Sequence, residues 1–578
     1  MTDKFTFIDL FAGVGGFHAA LADLGGRCVY AAEKDRYARA VYASAWSSSG
    51  DDQFPIAHDI NDDVPVDTGH TIDELLERAK AGKITLKDIP EAFDVLTAGF
   101  PCQTFSKSGK QEGILDRVRG TLFYNILVIV AMRRPKVVFL ENVKNLVGPT
   151  HLDTTFKTIV QALSGLGYTV SPDPTIFSPH MIAPQYGGGP QSRERVYILA
   201  VLNEIILNRQ PFTGPSRSER WSIDSWRIDE TPLPALDGLP AVITQQRARE
   251  LRTVAPHIAA RVDHIKSSYM SDLSDYRLNG EDKWFEVYSR LVANVVTQRS
   301  KNRRGSWFPG HPIWFDVADK NWVQRERADA KAHETSGKTR EWKDEFLDKS
   351  LDFIASYAAQ LKGPEAGDVL KRIRALPSNA WRKLEWQASD STSLDDCLIQ
   401  LRPSGVRVKK ATYIPALVAI NQAPILGREQ RRLTPYEAGR LQGFPDRVYE
   451  AMLATKQPEG QSYKQFGNAV HVGTVQFALV NFLCHHFGLE GAIDSQHSGA
   501  TRAPGLGGLQ SLVDRCRSIK RAWLEEGSDS ETHATVAPAG ADAVSADGTR
   551  DDPGVARGAD RLVGVGSSSR DTGRVTGR

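Results

Sequence analysis

The sequence predicts a doubly wound, Rossmann-like α/β fold with a second domain inserted into it and a disordered C-terminal tail. In about the first 200 residues, apolar strand-like runs alternate with helical stretches, which is typical of a sheet covered by helices on both faces. The first run leads into a glycine-rich turn that opens a helix, as at the ligand-binding edge of such sheets. From about residue 527 large apolar residues are almost absent, so this segment cannot bury enough surface to fold.

The elements follow in chain order. The predicted strands occupy residues 5–11, 28–32, 93–98, 137–140 and 196–201. A polar surface insertion with a helix over residues 71–80 interrupts the alternation at 62–90. From about residue 203 to 422 the alternation is lost and tryptophans accumulate, which indicates a second domain.

The βα character returns at residues 431–446, and the apolar helix predicted over 470–483 needs an existing core, which we expect to be the N-terminal sheet. The predicted domains are therefore a catalytic and cofactor-binding domain in two parts (1–202 and 426–490), an inserted domain (203–425), a C-terminal extension (491–526) and a disordered tail (527–578).

The composition indicates a soluble, cytoplasmic protein. Apolar residues make up 41% and charged residues 25% of the chain, and no run approaches the roughly 18 apolar residues of a membrane helix. The N-terminus enters a strand without the basic region of a signal peptide. Five scattered cysteines without a CxxC pair favour reduced thiols over disulfides or a zinc site. The net charge of +2 is the sum of about −4 on residues 525–578 and about +6 on the remainder, so the rest of the chain is mildly basic.

The glycine-rich turn, Phe11-Ala12-Gly13-Val14-Gly15, is a candidate cofactor site, although a purely structural turn remains the alternative. Glu33 ends the second strand 20 positions after Gly13 and can accept hydrogen bonds from ribose hydroxyls. Asp59, after the third strand, can reach an adenine amine. Because the chain has no P-loop lysine, S-adenosylmethionine fits this turn better than ATP or NAD.

Cys102 is a candidate nucleophile, because it lies just past the strand at residues 93–98, where an α/β sheet keeps its active site. Taken alone, a cysteine after a strand is more often an inert, buried packing residue.

The motifs along the chain resemble, in order, those of the DNA (cytosine-5)-methyltransferase family, of the bacterial restriction-modification type. They are residues 7–16, the Gly99-Phe-Pro-Cys-Gln103 segment, Glu141-Asn-Val143, Gln191-Ser-Arg-Glu-Arg195, residues 432–446 and Tyr463-Lys-Gln-Phe-Gly-Asn-Ala-Val470. The resemblance covers about half of the chain. It implies cofactor contacts from Phe11, Ala12, Gly13, Val14, Gly15, Glu33, Asp59, Ile60, Pro101, Leu122 and Asn468.

The resemblance also implies a mechanism. Cys102 would add to C6 of a cytosine flipped out of the duplex, and C5 would then take the methyl group of S-adenosylmethionine. Glu141 would bind N3 and the exocyclic amine, while Arg193 and Arg195 would contact the base carbonyl and hold Glu141 and the thiolate. No metal is required. The glycine-containing segment 103–119 resembles the family's mobile loop that closes over DNA.

The region between Arg195 and Arg432 corresponds to the family's target-recognition domain, and it should read a sequence in double-stranded DNA that cannot be derived from these residues. Basic residues beside Trp307 and from Arg402 onward are consistent with DNA contacts or with a solvated face. We expect a monomeric, nucleoid-associated bacterial enzyme. A partner restriction endonuclease would belong to the same system without forming a stable complex.

Three alternatives remain at this stage. An RNA cytosine-5 methyltransferase shares the motif order, but the large inserted region argues against it. Amino-group methyltransferases carry an acidic residue or Asn before Pro-Pro-aromatic, whereas this chain has Pro101-Cys102-Gln103. A catalytically dead DNA-binding module would keep the fold without turnover, and the presence of Cys102, Glu141 and both arginines weighs against it.

Overall fold

The computed structural model describes residues 4–47, 53–66, 70–100, 122–149, 151–182, 184–212, 274–280, 282–297, 306–334, 341–364, 367–411, 413–417, 423–489 and 506–532. The described residues up to 525 belong to one compact unit. The predicted loop at 103–119, the basic group beside Trp307 and the predicted tail from residue 533 onward lie outside the described residues.

The predicted catalytic part, called the catalytic part below, is built on a sheet whose strands arise from the apolar runs of the sequence. The first nine strands are β1 (Thr6–Leu10), β2 (Arg27–Ala32), β3 (Ile56–Ala57), β4 (Val95–Ala98), β5 (Val137–Val143), β6 (Tyr168–Val170), β7 (Thr175–Phe177), β8 (Gln191–Ser192) and β9 (Arg195–Leu202). All of these except β8 form an eight-stranded sheet in the order β3-β2-β1-β4-β5-β9-β6, with β7 also paired to β9. The five predicted strands are confirmed.

Strand direction divides this sheet. The strands β1 to β5 run parallel to their neighbours, whereas β9 runs antiparallel to β5, and both β6 and β7 run antiparallel to β9. The spatial order reverses between β1 and β4, which makes the crevice at their carboxyl ends the expected ligand position.

Helices cover the sheets and connect the strands. In chain order they are α1 (Gly16–Asp23), α2 (Arg36–Trp46), α3 (Ile60–Asp63), α4 (Ile72–Lys80), α5 (Leu122–Arg133), α6 (Lys157–Gly165), α7 (Lys283–Val296), α8 (Lys320–Glu334), α9 (Glu341–Ser356), α10 (Ala358–Leu361), α11 (Val369–Arg374), α12 (Pro435–Leu441), α13 (Asp446–Ala454), α14 (Glu459–Asn468), α15 (Val472–Phe487) and α16 (Leu509–Thr532). The helix predicted in the polar insertion is confirmed as α4, which begins with a capping box between Thr71 and Glu74. No helix of the described residues is long and apolar enough to cross a membrane.

A second hydrophobic core lies within residues 284–425. Its sheet contains β10 (Ile313–Trp314), β11 (Lys383–Gln387), β12 (Cys397–Arg402), β13 (Gly405–Lys410), β15 (Ile425–Leu426) and β16 (Arg431–Arg432), while β14 (Ile414–Pro415) pairs with β8 in a separate two-stranded sheet. The six-stranded sheet has the order β10-β11-β13-β12-β15-β16. Aromatic and branched side chains fill this core, among them Trp284, Tyr288, Phe315, Trp386 and Val408.

The last part of the chain returns to the N-terminal sheet, as the sequence predicts. Helix α15 packs on α1, and Phe477 on α15 meets Phe177 of β7 with ring centroids 5.6 Å apart. A Cβ on Gly16 would lie 2.6 Å from Val470 Cγ2, so the first turn of α1 depends on a glycine for this contact. The N-terminal strands and the helix α15 therefore share one core.

Candidate active site

The turn between β1 and α1 lies at the carboxyl end of β1, beside the switch point. Phe11 (φ 56), Gly13 (φ 58) and Gly15 (φ 90) all have left-handed backbone conformations. This conformation is uncommon for a bulky residue such as Phe11, and strain of this kind concentrates at ligand sites. A Cβ at Gly13 would meet no atom within 4 Å, so open space lies in front of the backbone there. The turn can therefore admit a ligand against its backbone.

Glu33 is fixed against this turn by two backbone donors. The amide of Gly13 donates to Glu33 Oε2 at 2.8 Å, and the amide of Asp35 donates to Oε1 at 2.7 Å. Burial raises the pKa of Glu33, and the two backbone hydrogen bonds oppose that rise. Each oxygen keeps a further lone pair, so the carboxylate can still accept from the hydroxyls of a ribose.

Asp59 caps α3 and faces the same edge of the sheet. Its Oδ1 accepts from the amide of Asn61 at 3.1 Å, and its Oδ2 pairs with Lys34 Nζ at 2.6 Å. The Lys34 side chain is 75% exposed, so this ion pair is weak and a ligand can replace it. Ile60, the next residue and the first of α3, is buried.

Trp46 holds the glycine turn through a hydrogen bond to its backbone, and no motif of the sequence indicates this role. Its indole Nε1 donates to the carbonyl oxygen of Val14 at 3.1 Å, and a Cβ on Gly15 would lie 2.3 Å from the same nitrogen. The indole also stacks on His18, with ring centroids 4.4 Å apart. Because Trp46 ends an amphipathic helix, the sequence alone indicates only a core residue there.

A buried carboxyl lies under the switch point. Asp9 of β1 is 0% exposed and accepts a hydrogen bond from Thr97 Oγ1 of β4 at 3.0 Å, while Tyr42 donates to its other oxygen at 3.4 Å. Burial raises the pKa of Asp9 to about 8, although the bond from Thr97 acts in the opposite direction. The side chain therefore joins the two strands that border the crevice.

Glu141 and Arg195 form a buried ion pair at the carboxyl end of β5. Glu141 is 7% exposed, and its Oε1 lies 3.1 Å from Arg195 Nε on the neighbouring β9. Burial raises the pKa of Glu141, whereas the charges of Arg195 and Arg193 lower it. A Cβ on Gly99 would lie 3.8 Å from Glu141 Oε2, so the carboxylate borders the chain leading from β4 to Cys102.

Asn142 connects the same two strand ends. Its Nδ2 donates to the carbonyl oxygen of Phe100 at 3.2 Å, and its Oδ1 accepts from the amide of Val143 at 2.9 Å. The chain that enters the Pro101-Cys102 segment is thereby held at the end of β5. Pro101 and Cys102 themselves lie outside the described residues.

The two arginines of the Gln191–Arg195 motif are separated by the fold. Arg193 is 2% exposed, and its guanidinium donates to backbone carbonyls of Leu417 (3.2 Å), Gly467 (3.0 Å) and Ala469 (2.7 Å). Burial lowers the pKa of Arg193 to about 9, and the nearby charge of Arg195 adds to that shift. Arg193 therefore joins three separate segments, while Arg195 alone contacts the Glu141 carboxylate at ion-pair distance among the described residues.

The remaining predicted cofactor residues lie around this edge. Ala12 is buried and donates its amide to Ala32, and Leu122 is half-buried as the first residue of α5. Asn468 is exposed at the end of α14, between the two residues whose carbonyls Arg193 holds. Among the described residues, no three His, Cys, Asp or Glu side chains are grouped so that they could hold a metal ion.

This strand order, with a strained glycine turn and buried carboxylates at its switch point, is that of the α/β enzymes that bind a cofactor across the carboxyl ends of parallel strands. A model of the C-5 cytosine-specific DNA methylase family matches residues 5–482. The chain belongs to this family and is a DNA (cytosine-5-)-methyltransferase. The resemblance stated from its motifs is confirmed.

Two of its relatives align with this chain over nearly their whole length. The type II methyltransferase M.AluI of Cellulosimicrobium cellulans is 35% identical over 522 residues, covering 82% of this chain and 91% of the relative. The orphan methyltransferase M.SPRI of Bacillus phage SPR is 26% identical over 516 residues, with 84% and 98% covered. The type II methyltransferase M.HpaII of Haemophilus parainfluenzae is 41% identical over 216 residues, with 37% and 51% covered.

Proposed function

We propose that this chain transfers a methyl group from S-adenosylmethionine to C5 of a cytosine within one specific sequence of double-stranded DNA. The observation that carries the proposal is the buried ion pair of Glu141 and Arg195, which lies against Gly99, three residues before Cys102. A carboxylate held in a desolvated site beside a nucleophile is placed to stabilise charge that develops on a bound ring.

The switch-point residues fit the cofactor. S-adenosylmethionine supplies an electrophilic methyl group on a sulfonium, together with a ribose and an adenine. Glu33 would accept from the ribose hydroxyls, and Asp59 would accept from the adenine amine once Lys34 is displaced. Phe11 to Gly15, Ile60, Pro101, Leu122 and Asn468 would form the remaining contacts. The open space before Gly13 supports this assignment.

The chemistry on the base follows from residue types. The Cys102 thiolate would form a bond from Sγ to C6, which pushes electron density onto C5 and makes it nucleophilic. Glu141 would hold N3 and the exocyclic amine during this attack, and Arg195 would fix the carboxylate. After methylation at C5, loss of the C5 proton and departure of the thiolate would restore the aromatic ring. Arg193 would act by positioning the surrounding segments.

The second hydrophobic core supports a target-recognition domain over residues 203–425, inserted between the two parts of the catalytic domain. Its sheet ends in β16, immediately before α12 of the catalytic part. Because the reacting atom is hidden in a duplex, this domain and the segment 103–119 would hold the DNA while the cytosine is flipped out. In the cell we propose a monomeric protective methylase of a restriction-modification system, whose partner endonuclease acts without a stable complex.

Bisulfite sequencing tests this function directly. DNA from cells that lack other cytosine methylation is compared after expression of the wild type, Cys102→Ser and Cys484→Ala. We expect protected cytosines within one recurring sequence for the wild type and for Cys484→Ala, because Cys484 is a buried residue of α15 that has no part in the proposed mechanism. Cys102→Ser should leave the DNA fully convertible while still binding it. Methylation by Cys102→Ser would contradict the mechanism. Fully converted DNA from cells that express the wild type would favour an RNA methyltransferase or a catalytically dead DNA-binding module.

A further inference from the structure

The six-stranded sheet has one apolar face and one polar face. On β13, Val406 and Val408 point into the second core, so Arg407 and Lys409 lie on the opposite face. The strand pairs Gln400 with Arg407 and Leu398 with Lys409 place the β12 residues Leu398, Gln400 and Arg402 on this same face. We call it the cationic face and define it by Gln400, Arg402, Arg407 and Lys409.

The cationic face is turned toward the catalytic part of the molecule. Leu398 lies on this face but packs in the core of the catalytic part, not in the second core. Burial lowers the pKa of the His180 imidazole, the charge of Glu194 opposes this, and the charge of Lys409 adds to it, so Lys409 lies near His180. His180 Nδ1 lies 2.7 Å from Ser178 Oγ, and this hydroxyl accepts a hydrogen bond from the backbone amide of Arg193. The face therefore adjoins the motif that carries the catalytic arginine.

Two of its three cations have no ion-pair partner among the described residues. Arg407 is neutralised by Glu385 on β11, whose Oε2 lies 2.9 Å from its Nε and 2.7 Å from its Nη2. Within the part of the chain that the structure describes, Arg402 and Lys409 are half-buried and form neither an ion pair nor a side-chain hydrogen bond. Burial lowers the pKa of both groups and the charge of Arg407 lowers it further, whereas the charge of Glu385 acts in the opposite direction. Glu385 supplies one negative charge beside three cations, so an anionic ligand would reduce the repulsion that remains.

Gln400 lies between Leu398 and Arg402 on β12, in the middle of this face. The residue is 6% exposed, and its Oε1 has no hydrogen-bond partner among the described residues. An amide oxygen and a phosphate oxygen both only accept hydrogen bonds, so this oxygen is not a contact of a sugar-phosphate backbone. The charges of Arg402 and Lys409 therefore carry the assignment.

We propose that the cationic face seats the sugar-phosphate backbone of the target duplex, with Arg402 and Lys409 each contacting a phosphate. This assignment rests on the proposed DNA methyltransferase function. Arg402 lies four residues from Leu398, the partner of Lys409, so the two positions are separated by about 14 Å along the sheet. A strand of duplex rises about 3.4 Å per phosphate, so the two cations meet different phosphates. Phosphate contacts fix the register of the duplex and leave its sequence to other residues.

The neighbouring Lys410 provides a matched control. It follows Lys409 on β13 but pairs with Cys397 of the second core, so its side chain leaves the strand on the other face. It is exposed and already pairs with Asp390 at 3.3 Å. Removing its charge should change DNA binding little, although the change in formal charge equals that of Lys409→Gln.

The test measures dissociation constants at several salt concentrations for the wild type, Arg402→Gln, Lys409→Gln, Lys410→Gln and the charge-conserving Arg402→Lys. Fluorescence anisotropy is used with two duplexes, one carrying the methylated sequence and one with that sequence altered. Each lost phosphate contact should reduce the slope of log K against log salt by about 0.9. When salt is raised from 50 to 200 mM, the DNA affinity of a variant that lacks one contact should therefore fall about threefold less than that of the wild type. Arg402→Lys should keep the wild-type slope, because a phosphate accepts a point charge.

Equal weakening on both duplexes for Arg402→Gln and Lys409→Gln, with Lys410→Gln like the wild type, is the expected result. Weakening confined to the methylated sequence, without rescue by Arg402→Lys, would assign these side chains to base edges and overturn the phosphate contact. If Arg402→Gln and Lys409→Gln bind DNA as Lys410→Gln does, the cationic face does not contact DNA and the proposal is wrong. DNA methylation by the wild-type preparation supports the proposed methyltransferase function whichever result the variants give. A wild type that neither binds nor methylates DNA would contradict both that function and the phosphate contacts of the cationic face.

Discussion

The C-terminal helix α16 begins beyond the residues that the family model matches, yet its first turns belong to the catalytic core. Leu509, Leu512 and Cys516 are each 0% exposed and join the core of the N-terminal sheet. Arg517 donates to the carbonyl oxygens of Phe487 (2.5 Å) and Gly488 (2.9 Å), and Lys520 donates to Asn481 at 2.8 Å. We therefore expect Leu512→Ala to destabilise the whole catalytic domain.

The magnitude follows from burial. Replacing a fully buried leucine by alanine costs about 2–5 kcal/mol, as lost transfer free energy and a residual cavity. Leu524, on the same helix, is 54% exposed, so Leu524→Ala should change stability by about 0.5 kcal/mol or less. The two variants make the same chemical change and the same change in helix propensity, and they differ only in what the side chain contacts.

Native-state hydrogen exchange of the buried amides of β5 gives the assay, because these amides open only when the catalytic core opens. A loss of 2–5 kcal/mol corresponds to exchange that is about 30-fold to several-thousand-fold faster. Leu524→Ala should exchange at the wild-type rate. Equal rates for the two variants would refute the view that α16 is an integral part of the domain.

Three further predictions concern the candidate site. Gly15→Ala should weaken S-adenosylmethionine binding and stability together, because its Cβ would lie 2.3 Å from Trp46 Nε1. Gly25→Ala has a similar φ of 92 and an open surrounding, so it should cost only about 1 kcal/mol of backbone strain, and equal melting temperatures would contradict the role of Trp46. Arg193→Lys keeps the charge but loses the fork that holds three carbonyls. It should lower cofactor affinity, measured by calorimetry, by about 1–3 kcal/mol, and unchanged affinity would sink this view of Arg193. The folded-state pKa of Asp9, about 8, lies above its ordinary value of 3.8, so its stabilising contribution is full below pH 3.8 and is lost as the pH rises through 8. At pH 7 the loss is about 4 kcal/mol. The stability of Asp9→Asn relative to the wild type should therefore increase from pH 4 to pH 8 in urea titrations, whereas a constant difference would show that Asp9 titrates normally.

Hydrophobic periodicity predicts where the central strands lie but not which way they run. Residues 196–201 form the buried strand β9, as expected, but this strand is antiparallel to β5. A fully buried strand has the same apolar composition in either direction, so only the connections decide it. The edge strands β6 and β7 have three residues each, which is too short for a periodic signal.

The C-terminal extension shows that long-range packing cannot be predicted from a local sequence pattern. The residues between 491 and 526 suggest no function, and their apolar positions fit any amphipathic helix. That Leu509 and Leu512 complete the core of the first sheet depends on contacts with residues hundreds of positions away, which no local pattern contains. Helix α16 also extends past the predicted start of the tail at residue 527 and ends at Thr532.

The motif Gln191–Arg195 shows why a site can be located from sequence before its residues can be given roles. Arg193 and Arg195 are two positions apart in one motif, and the sequence predicts the same task for both. The fold separates them, because Arg195 begins β9 and pairs across to β5, whereas Arg193 lies in the gap between β8 and β9 and points into the protein. There its guanidinium binds Leu417, at the end of the inserted region, together with the two residues around Asn468. One buried side chain thus joins the end of the inserted region to the proposed cofactor motif.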